Sequence, residues 1–334
     1  PEGVTGGEKY NAWLWKAIAA APGVALSFTG RSEYPPGLHP VKPLVPFLEW
    51  RHCGPIRRAD AVFFSSSLAF RHLLLLARTR LLHRHIRCIA IQHHYEFPFR
   101  KGFRKLCYRL IELGFLRLCT DIIVPTPYPA RLTAQFFPRK RLHRIPIPQE
   151  LTFRPNTPEP GRMLFVGTVE PRKGLHRLIA ALAILRDRNI DFKLDIVGQM
   201  IDPAYSERLQ QEIAAAGLTD RVYFSGRVSD AELNGFYQRA RVFAFPSQLE
   251  GYGMAVIEAM SFGVVPVVFD NSALSETVDR GRDGLVVPDG DVEAFAAALA
   301  TALTDDAEVA AWRMNMKEKI AALPDRQAFA TAVS

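Results

Sequence analysis

Glu250 and Glu258 stand eight positions apart on either side of a glycine turn, Gly251-Tyr252-Gly253. Carboxylates so spaced usually mean solvated charges, because charged residues face water. The surrounding pattern argues for more. Val242 to Phe245 is an apolar run with the length and bulk of a buried parallel strand, and Pro246 and Ser247 stop it. Met254 to Phe262 reads as a helix with Met254, Ile257 and Met260 on one face. Gly263 fits its C′ position, and Val264 to Phe269 reads as a second buried strand. Ligands of open α/β sheets bind outside the carboxyl ends of such strands. Free amides at the helix start, near Gly253, Met254 and Ala255, can hold a phosphate there. The two carboxylates can then accept hydrogen bonds from ligand hydroxyls.

Two further places carry candidate chemistry. In GTVEPRKG, residues 167–174, Gly167 permits a close turn after a strand, and Arg172 and Lys173 would face the same crevice as Glu250. Read without context, this is a surface basic pair. The run Ile86 to Gln92 reads as a buried strand that ends in His93-His94-Tyr95. A histidine at the carboxyl end of a parallel strand faces the ligand crevice, although many histidines only pack and hydrogen-bond.

The stretch with Glu250, Gly251, Gly253, Glu258, Ala259, Met260, Gly263, Pro266 and Val267 resembles the donor-sugar motif of the retaining glycosyltransferases of family 4. That resemblance implies an α/β chain of GT-B architecture, with two Rossmann-like doubly wound domains and a cleft between them. It implies an N-terminal acceptor-binding domain, 1–150, and a C-terminal nucleotide-sugar domain, 151–334. It assigns Gly6, Gly7, Gly167, Arg172, Lys173, Glu250, Tyr252, Gly253, Met254, Ala255 and Glu258 to the donor. Glu258 would take the ribose hydroxyls and Glu250 the sugar. Arg172 and Lys173 would take the diphosphate. Many family members carry Arg directly after the glycine where this chain has Thr168, so the resemblance passes that role to Arg172. His93, with His94 as the alternative, would contact the sugar and complete a catalytic set with Glu250, Arg172 and Lys173.

The implied reaction moves a hexose, with mannose as one candidate, from a nucleoside-diphosphate sugar to a glycan or lipid-linked acceptor in cell-surface polysaccharide or glycolipid synthesis. Anomeric configuration would be retained. No cofactor and no metal are expected, because fixed cations and helix amides can compensate the leaving diphosphate. Two rivals stay open at this level. One is a nucleotide-sugar epimerase or hydrolase on the same fold; the other is a non-enzymatic basic module that binds nucleic acid.

The elements that would position these residues follow from the rest of the chain. Its 334 residues suffice for two domains, and 48% hydrophobic with 23% charged residues is a globular composition. Four scattered cysteines without a Cys-x-x-Cys pair argue against a zinc site or disulfide framework and fit a reducing compartment. No signal peptide is legible, and no apolar run reaches membrane-spanning length. The first residue is Pro, and the strand that should precede Gly6-Gly7 is not in the sequence, so an upstream piece is expected to be missing.

Charge separates the halves. Residues 1–145 hold 23 Lys and Arg against 8 Asp and Glu, net +15, and residues 146–334 hold 19 against 26, net −7. The positive half should seek anionic surfaces. Phe97 to Leu118, with Arg100, Lys101, Arg104, Lys105, Arg109 and Arg117, reads as a basic amphipathic helix. A cytoplasmic enzyme held peripherally at the inner membrane face is the expectation, without a nucleic-acid partner, since no aromatic stacking pattern accompanies the arginines. Strands are expected at Val24–Phe28, Ala61–Phe64 and Asp121–Pro125, and a linker at 149–162. Alternating strands and helices follow to Leu303, and one helical run covers Ala307–Ser334.

Overall fold

The computed structural model describes residues 6–19, 28–29, 40–41, 59–66, 69–95 and 97–333. The chain forms two compact units, Pro1–Gln149 with Pro324–Ser334, and Glu150–Leu323.

In the first unit, β1 (Phe28–Thr29) and β2 (Pro40–Val41) form a short parallel pair. The main sheet contains β3 (Ala61–Ser65), β4 (Arg87–Ile91), β5 (Asp121–Val124) and β6 (Arg141–Arg144), all parallel and in sequential order. Cys88, Ala90, Ile122 and Val124 from β4 and β5 join Phe64, Leu76, Phe115 and Leu116 in one core. Central parallel strands covered on both faces need such near-continuous apolar runs. At the edge, β6 reads Arg-Leu-His-Arg and is largely exposed, charge that discourages further strand addition. Its described helices include α1 (Gly6–Ala19), α2 (Ala69–Leu82), α3 (Gly102–Leu118) and α4 (Pro127–Phe136).

The second unit has six parallel strands: β7 (Arg162–Val166), β8 (Lys193–Val197), β9 (Val222–Gly226), β10 (Val242–Phe245), β11 (Val265–Asp270) and β12 (Leu285–Pro288). Their order across the sheet is β12-β11-β10-β7-β8-β9. Winding reverses between β7 and β10, which creates the crevice where ligands of doubly wound sheets bind. Around the sheet lie α5 (Leu175–Asp187), α6 (Pro203–Ala215), α7 (Asp230–Arg239), α8 (Met254–Ser261), α9 (Leu274–Thr277), α10 (Val292–Thr304) and α11 (Asp306–Ala321). Gly198, just past β8, has φ of 149°, and a Cβ there would overlap the Gly167 carbonyl. Only glycine lets these two loops approach so closely.

Several expectations change. The C-terminal helical run breaks at Pro324, which cannot continue a helix, and α12 (Arg326–Val333) belongs to the first unit, not to a domain reaching 334. Phe329 of α12 is buried, its ring edge-on to Tyr10 at 6.3 Å. Gly6 and Gly7, which the resemblance assigns to the donor, begin α1. The basic segment starts as a 3-10 turn, Phe97–Phe99, because Pro98 opens it, and becomes α-helical only at Gly102. Of the strand expected at Val24–Phe28, residues 24–27 lie outside the described residues.

Candidate active site

The loops that leave β7 and β10 meet at the reversal point. Lys173 Nζ donates to Glu250 Oε1 at 2.6 Å, with side chains only 12% and 14% exposed. A pair so enclosed is little screened by water. Lys173 closes a 3-10 turn, Pro171–Lys173, whose proline fixes the turn's φ. Arg172, on the same turn, donates from Nη1 to the Leu249 carbonyl at 2.8 Å and from Nη2 to Glu170 Oε1 at 2.7 Å. Its Nη1 stands 3.8 Å from Glu250 Oε1. Thr168 donates its hydroxyl to the same Glu170 oxygen at 2.8 Å and so helps to orient Arg172.

Glu250 is held from several sides. Ser247, fully buried, donates its hydroxyl to Oε1 at 2.7 Å. The Glu250 amide donates to Ser272 Oγ at 2.9 Å, and Asn271 Nδ2 donates to the Ser247 carbonyl at 2.9 Å. Burial pushes the Glu250 carboxyl up, but Lys173, then Arg172, with hydrogen bonds from Lys173 and Ser247, bring it below the usual carboxylate range. Glu250 is therefore an anion at neutral pH.

Helix α8 starts beside this pair. Gly253 is its N-cap, in the left-handed region at φ 81°, and a Cβ there would stand 3.0 Å from Leu274 Cδ2. The Val256 and Ile257 amides turn back to the Gly253 carbonyl at 2.9 and 3.2 Å. The amides of Met254 and Ala255 precede any carbonyl of their own helix. Tyr252 is pinned through its carbonyl, which accepts from Thr277 Oγ1 at 2.5 Å, and burial pushes its phenol up to about 12. One turn into α8, Glu258 accepts from Tyr237 Oη at 3.3 Å. Tyr237 is buried and stacked on Phe262 with ring centroids 5.1 Å apart. Burial, reinforced by the Glu258 charge, keeps its phenol protonated, so it stays a donor.

His93 lies in the first unit, two residues beyond β4. Its Nε2 is 3.1 Å from Asn11 Oδ1, and its ring meets Tyr10 edge-on at 5.4 Å. Tyr10 in turn donates to the Ile145 carbonyl at 3.1 Å. Burial, and then the neighbouring His94, lower the ring to about 4, so it is neutral at pH 7. A neutral ring that donates from Nε2 to Asn11 leaves Nδ1 as an acceptor. The His94 carbonyl accepts from Gln92 Nε2 at 2.7 Å.

The structure thus gathers Glu250, Lys173, Arg172, Gly167, Gly253 and Glu258 around one sheet reversal within the second unit. Ser247, Asn271, Ser272 and Tyr237, which hold the carboxylates, were not legible as site residues. Ser247 could have been found three positions before Glu250. Asn271 and Ser272 follow β11, and only the strand order brings them next to β10. Among the described residues, no group of three or more His, Cys, Asp or Glu is placed to hold a metal ion.

Residues 149–319 match the family model described as Glycosyl transferases group 1. The chain is 32% identical over 152 residues to a lipopolysaccharide core biosynthesis mannosyltransferase of Rhizobium leguminosarum bv. viciae, covering 44% of this chain and 43% of that protein. It is 34% identical over 138 residues to a GDP-mannose:cellobiosyl-diphosphopolyprenol alpha-mannosyltransferase of Xanthomonas oryzae pv. oryzae, covering 41% and 36%. These matches span less than half the length of either relative. Among solved structures, a sucrose-phosphate synthase from Thermosynechococcus elongatus superposes with a TM-score of 0.76 at 22% identity, over 98% of this chain and 91% of that one. A lipopolysaccharide outer core galactosyltransferase superposes at 0.74 and 14% identity, over 99% and 95%. The architecture is GT-B.

Proposed function

Because the chain belongs to the group 1 glycosyl transferases, we propose that it transfers a hexose from a nucleoside-diphosphate sugar to a glycan or lipid-linked acceptor, with retention at the anomeric carbon. The observation that carries this reading is the 2.6 Å Lys173–Glu250 pair at the reversal of a doubly wound sheet, beside the start of α8. Such a place offers a cation, an anion and helix amides to one small polar ligand.

In this reading Arg172, Lys173 and the Met254 and Ala255 amides receive the diphosphate. Charge that grows on it as the glycosidic bond breaks is met by groups already in place. Their presence removes the need for a resident metal. Glu258, steadied by Tyr237, accepts from the ribose hydroxyls, and Glu250 accepts from hydroxyls of the sugar. The bond between C1 and the phosphate oxygen breaks, and a bond from the acceptor oxygen to C1 forms on the same face. The acceptor proton passes to the departing phosphate oxygen. His93, neutral at working pH, serves as a hydrogen-bond partner of the sugar, and the first unit takes the acceptor.

Mannose is the sugar to test first, since the relatives above are mannosyltransferases and one is named for GDP-mannose. The acceptor class follows the same relatives, which act on lipopolysaccharide core and on a diphosphopolyprenol-linked sugar by their names. Among the described residues, no helix is long and apolar enough to cross a membrane. The proposed link to the inner membrane face is peripheral. It runs through α3, where Phe103 is 78% and Leu110 65% exposed beside exposed Lys101, Arg104 and Lys105. Product analysis with GDP-mannose, with and without acceptor, separates transfer from hydrolysis or epimerisation. Anomeric coupling in the product tests retention, and an inverted product would contradict that part.

A further inference from the structure

A second group of cations lies in the first unit, on residues not assigned above. Arg80 near the end of α2, Arg84 beyond it, Arg117 near the end of α3 and Lys140 before β6 line a cavity of about 540 Å³, with the Leu118–Thr120 turn as its floor. Among the described residues, no carboxylate lines it. Strand β4 runs away from this face toward His93, and its five residues span about 13–16 Å at ~3.3 Å each. The cavity therefore sits at the amino-terminal end of the sheet, opposite the edge where His93 lies.

Helix ends explain only part of this clustering. Carbonyls at the end of α3 attract a cation, an effect worth about 0.3–1 kcal/mol. Lys140 already fills that role: its ammonium donates to the Arg117 carbonyl at 2.8 Å and also to the Cys119 carbonyl. Arg80, Arg84 and Arg117 have no side-chain partner among the described residues, whereas nearby Arg87 is bound to Asp121 at 2.8 Å. Burial, and then the charges of Arg80 and Arg117, lower the Lys140 ammonium from its ordinary value. Asp121 also acts on Lys140, but it is bound by Arg87 at 2.8 Å and lies 3.0 Å from His143, so like charges are held together here with little counter-charge among the described residues.

We propose that this cavity is an anion site for a phosphate or diphosphate group, separate from the donor site. Guanidinium groups bind such oxygens in bidentate fashion, and a cavity of this volume has room for a diphosphate with part of its attached group. The group could be carried by a soluble phosphate ester or by a lipid headgroup, and the test separates the two sources.

Sodium pyrophosphate is titrated calorimetrically at constant ionic strength into the wild-type chain, Arg80→Gln/Arg84→Gln/Arg117→Gln, and Arg172→Gln/Lys173→Gln. Circular dichroism confirms that each is folded, and Arg84→Gln alone serves if the triple variant is not. The wild-type chain should bind, the triple variant at least tenfold more weakly, Arg84→Gln severalfold more weakly, and the Arg172/Lys173 variant should retain a binding event. Sedimentation with phosphatidylcholine vesicles, with and without phosphatidic acid, forms the second arm. Capture by phosphatidic acid that the triple substitution weakens and pyrophosphate competes assigns the group to lipid. Pyrophosphate binding without such capture assigns it to a soluble ester. The proposal is overturned if neither probe binds the wild-type chain, if both bind the triple variant as well as the wild type, or if all pyrophosphate binding is lost in the Arg172/Lys173 variant.

Discussion

Lys173 and Glu250, 77 residues apart in sequence, are joined at 2.6 Å because β7 and β10 are neighbours at the point where the sheet reverses. Removing one partner strands the other. Lys173→Met should destabilise the second unit by about 3 kcal/mol, near the lower end for a broken enclosed pair, because Arg172 at 3.8 Å and Ser247 still face the carboxylate. Lys173→Met/Glu250→Gln should recover more than half of that loss. Urea unfolding of both variants checks this. A double variant no more stable than Lys173→Met would show that the two side chains are not coupled.

Glu258 and Tyr237 offer a test of ribose recognition. Glu258→Ala should weaken nucleoside-diphosphate binding by about 1–3 kcal/mol, the scale of a lost charged hydrogen bond. Tyr237→Phe removes only the 3.3 Å hydrogen bond to Glu258 and should cost less than Glu258→Ala. Titration calorimetry reads both. Unchanged affinity in Glu258→Ala would end the ribose assignment.

His93 carries a pH signature. Burial lowers its pKa to about 4 in the folded chain, against about 6.5 when unfolded. Between those values the unfolded chain binds the extra proton, so stability should fall as pH drops from 6.5 toward 4 and be complete above 6.5. The ceiling is about 3.5 kcal/mol, from ~1.4 kcal/mol per pKa unit over the shift from 6.5 to about 4. Comparing urea midpoints of the wild type and His93→Gln from pH 4 to 7 measures it. Parallel curves would show that the ring is not protected. His93→Ala should also lower turnover while leaving nucleotide affinity nearly intact.

Peripheral attachment through α3 predicts capture by anionic vesicles that weakens with salt. The variant Lys101→Gln/Arg104→Gln/Lys105→Gln should lose about 1 kcal/mol per charge. Arg100 is a poorer choice than its neighbours, since its guanidinium lies over the Tyr108 ring at 4.5 Å. Vesicle sedimentation at two salt concentrations checks the prediction, and equal capture by neutral vesicles would contradict it.

The second unit was legible because its strands are central and apolar and its turns contain glycines. Val242–Phe245 matches the expected strand residue for residue, and α8 differs only at its last position. In the first unit, periodicity placed β3 to β5 within a residue or two, yet β6 escaped. It is an edge strand of Arg-Leu-His-Arg, with no apolar run to mark it. Glu112, which the sequence reading did not single out, is buried and accepts from the Phe97 amide at 3.3 Å, which ties the 3-10 turn to α3. Ser272 and Asn271 stayed hidden because strand order is a long-range property that local pattern does not carry. The return of Phe329 to the first unit depends on the break at Pro324, which a helical reading to the end of the chain passed over.

The central claim is that the reversal point in the second unit binds a nucleotide sugar for transfer, and donor turnover tests it most directly. Nucleoside diphosphate released from GDP-mannose and from UDP-, ADP- and dTDP-sugars is measured for the wild type and for Glu250→Gln, with a lipid-linked glycan acceptor present. The account predicts release from one nucleotide class, stimulated by acceptor, and a fall of roughly 10²-fold or more in Glu250→Gln, the scale of losing one preorganised transition-state contact. Turnover unaffected by Glu250→Gln, or no binding of any of these donors, would contradict it.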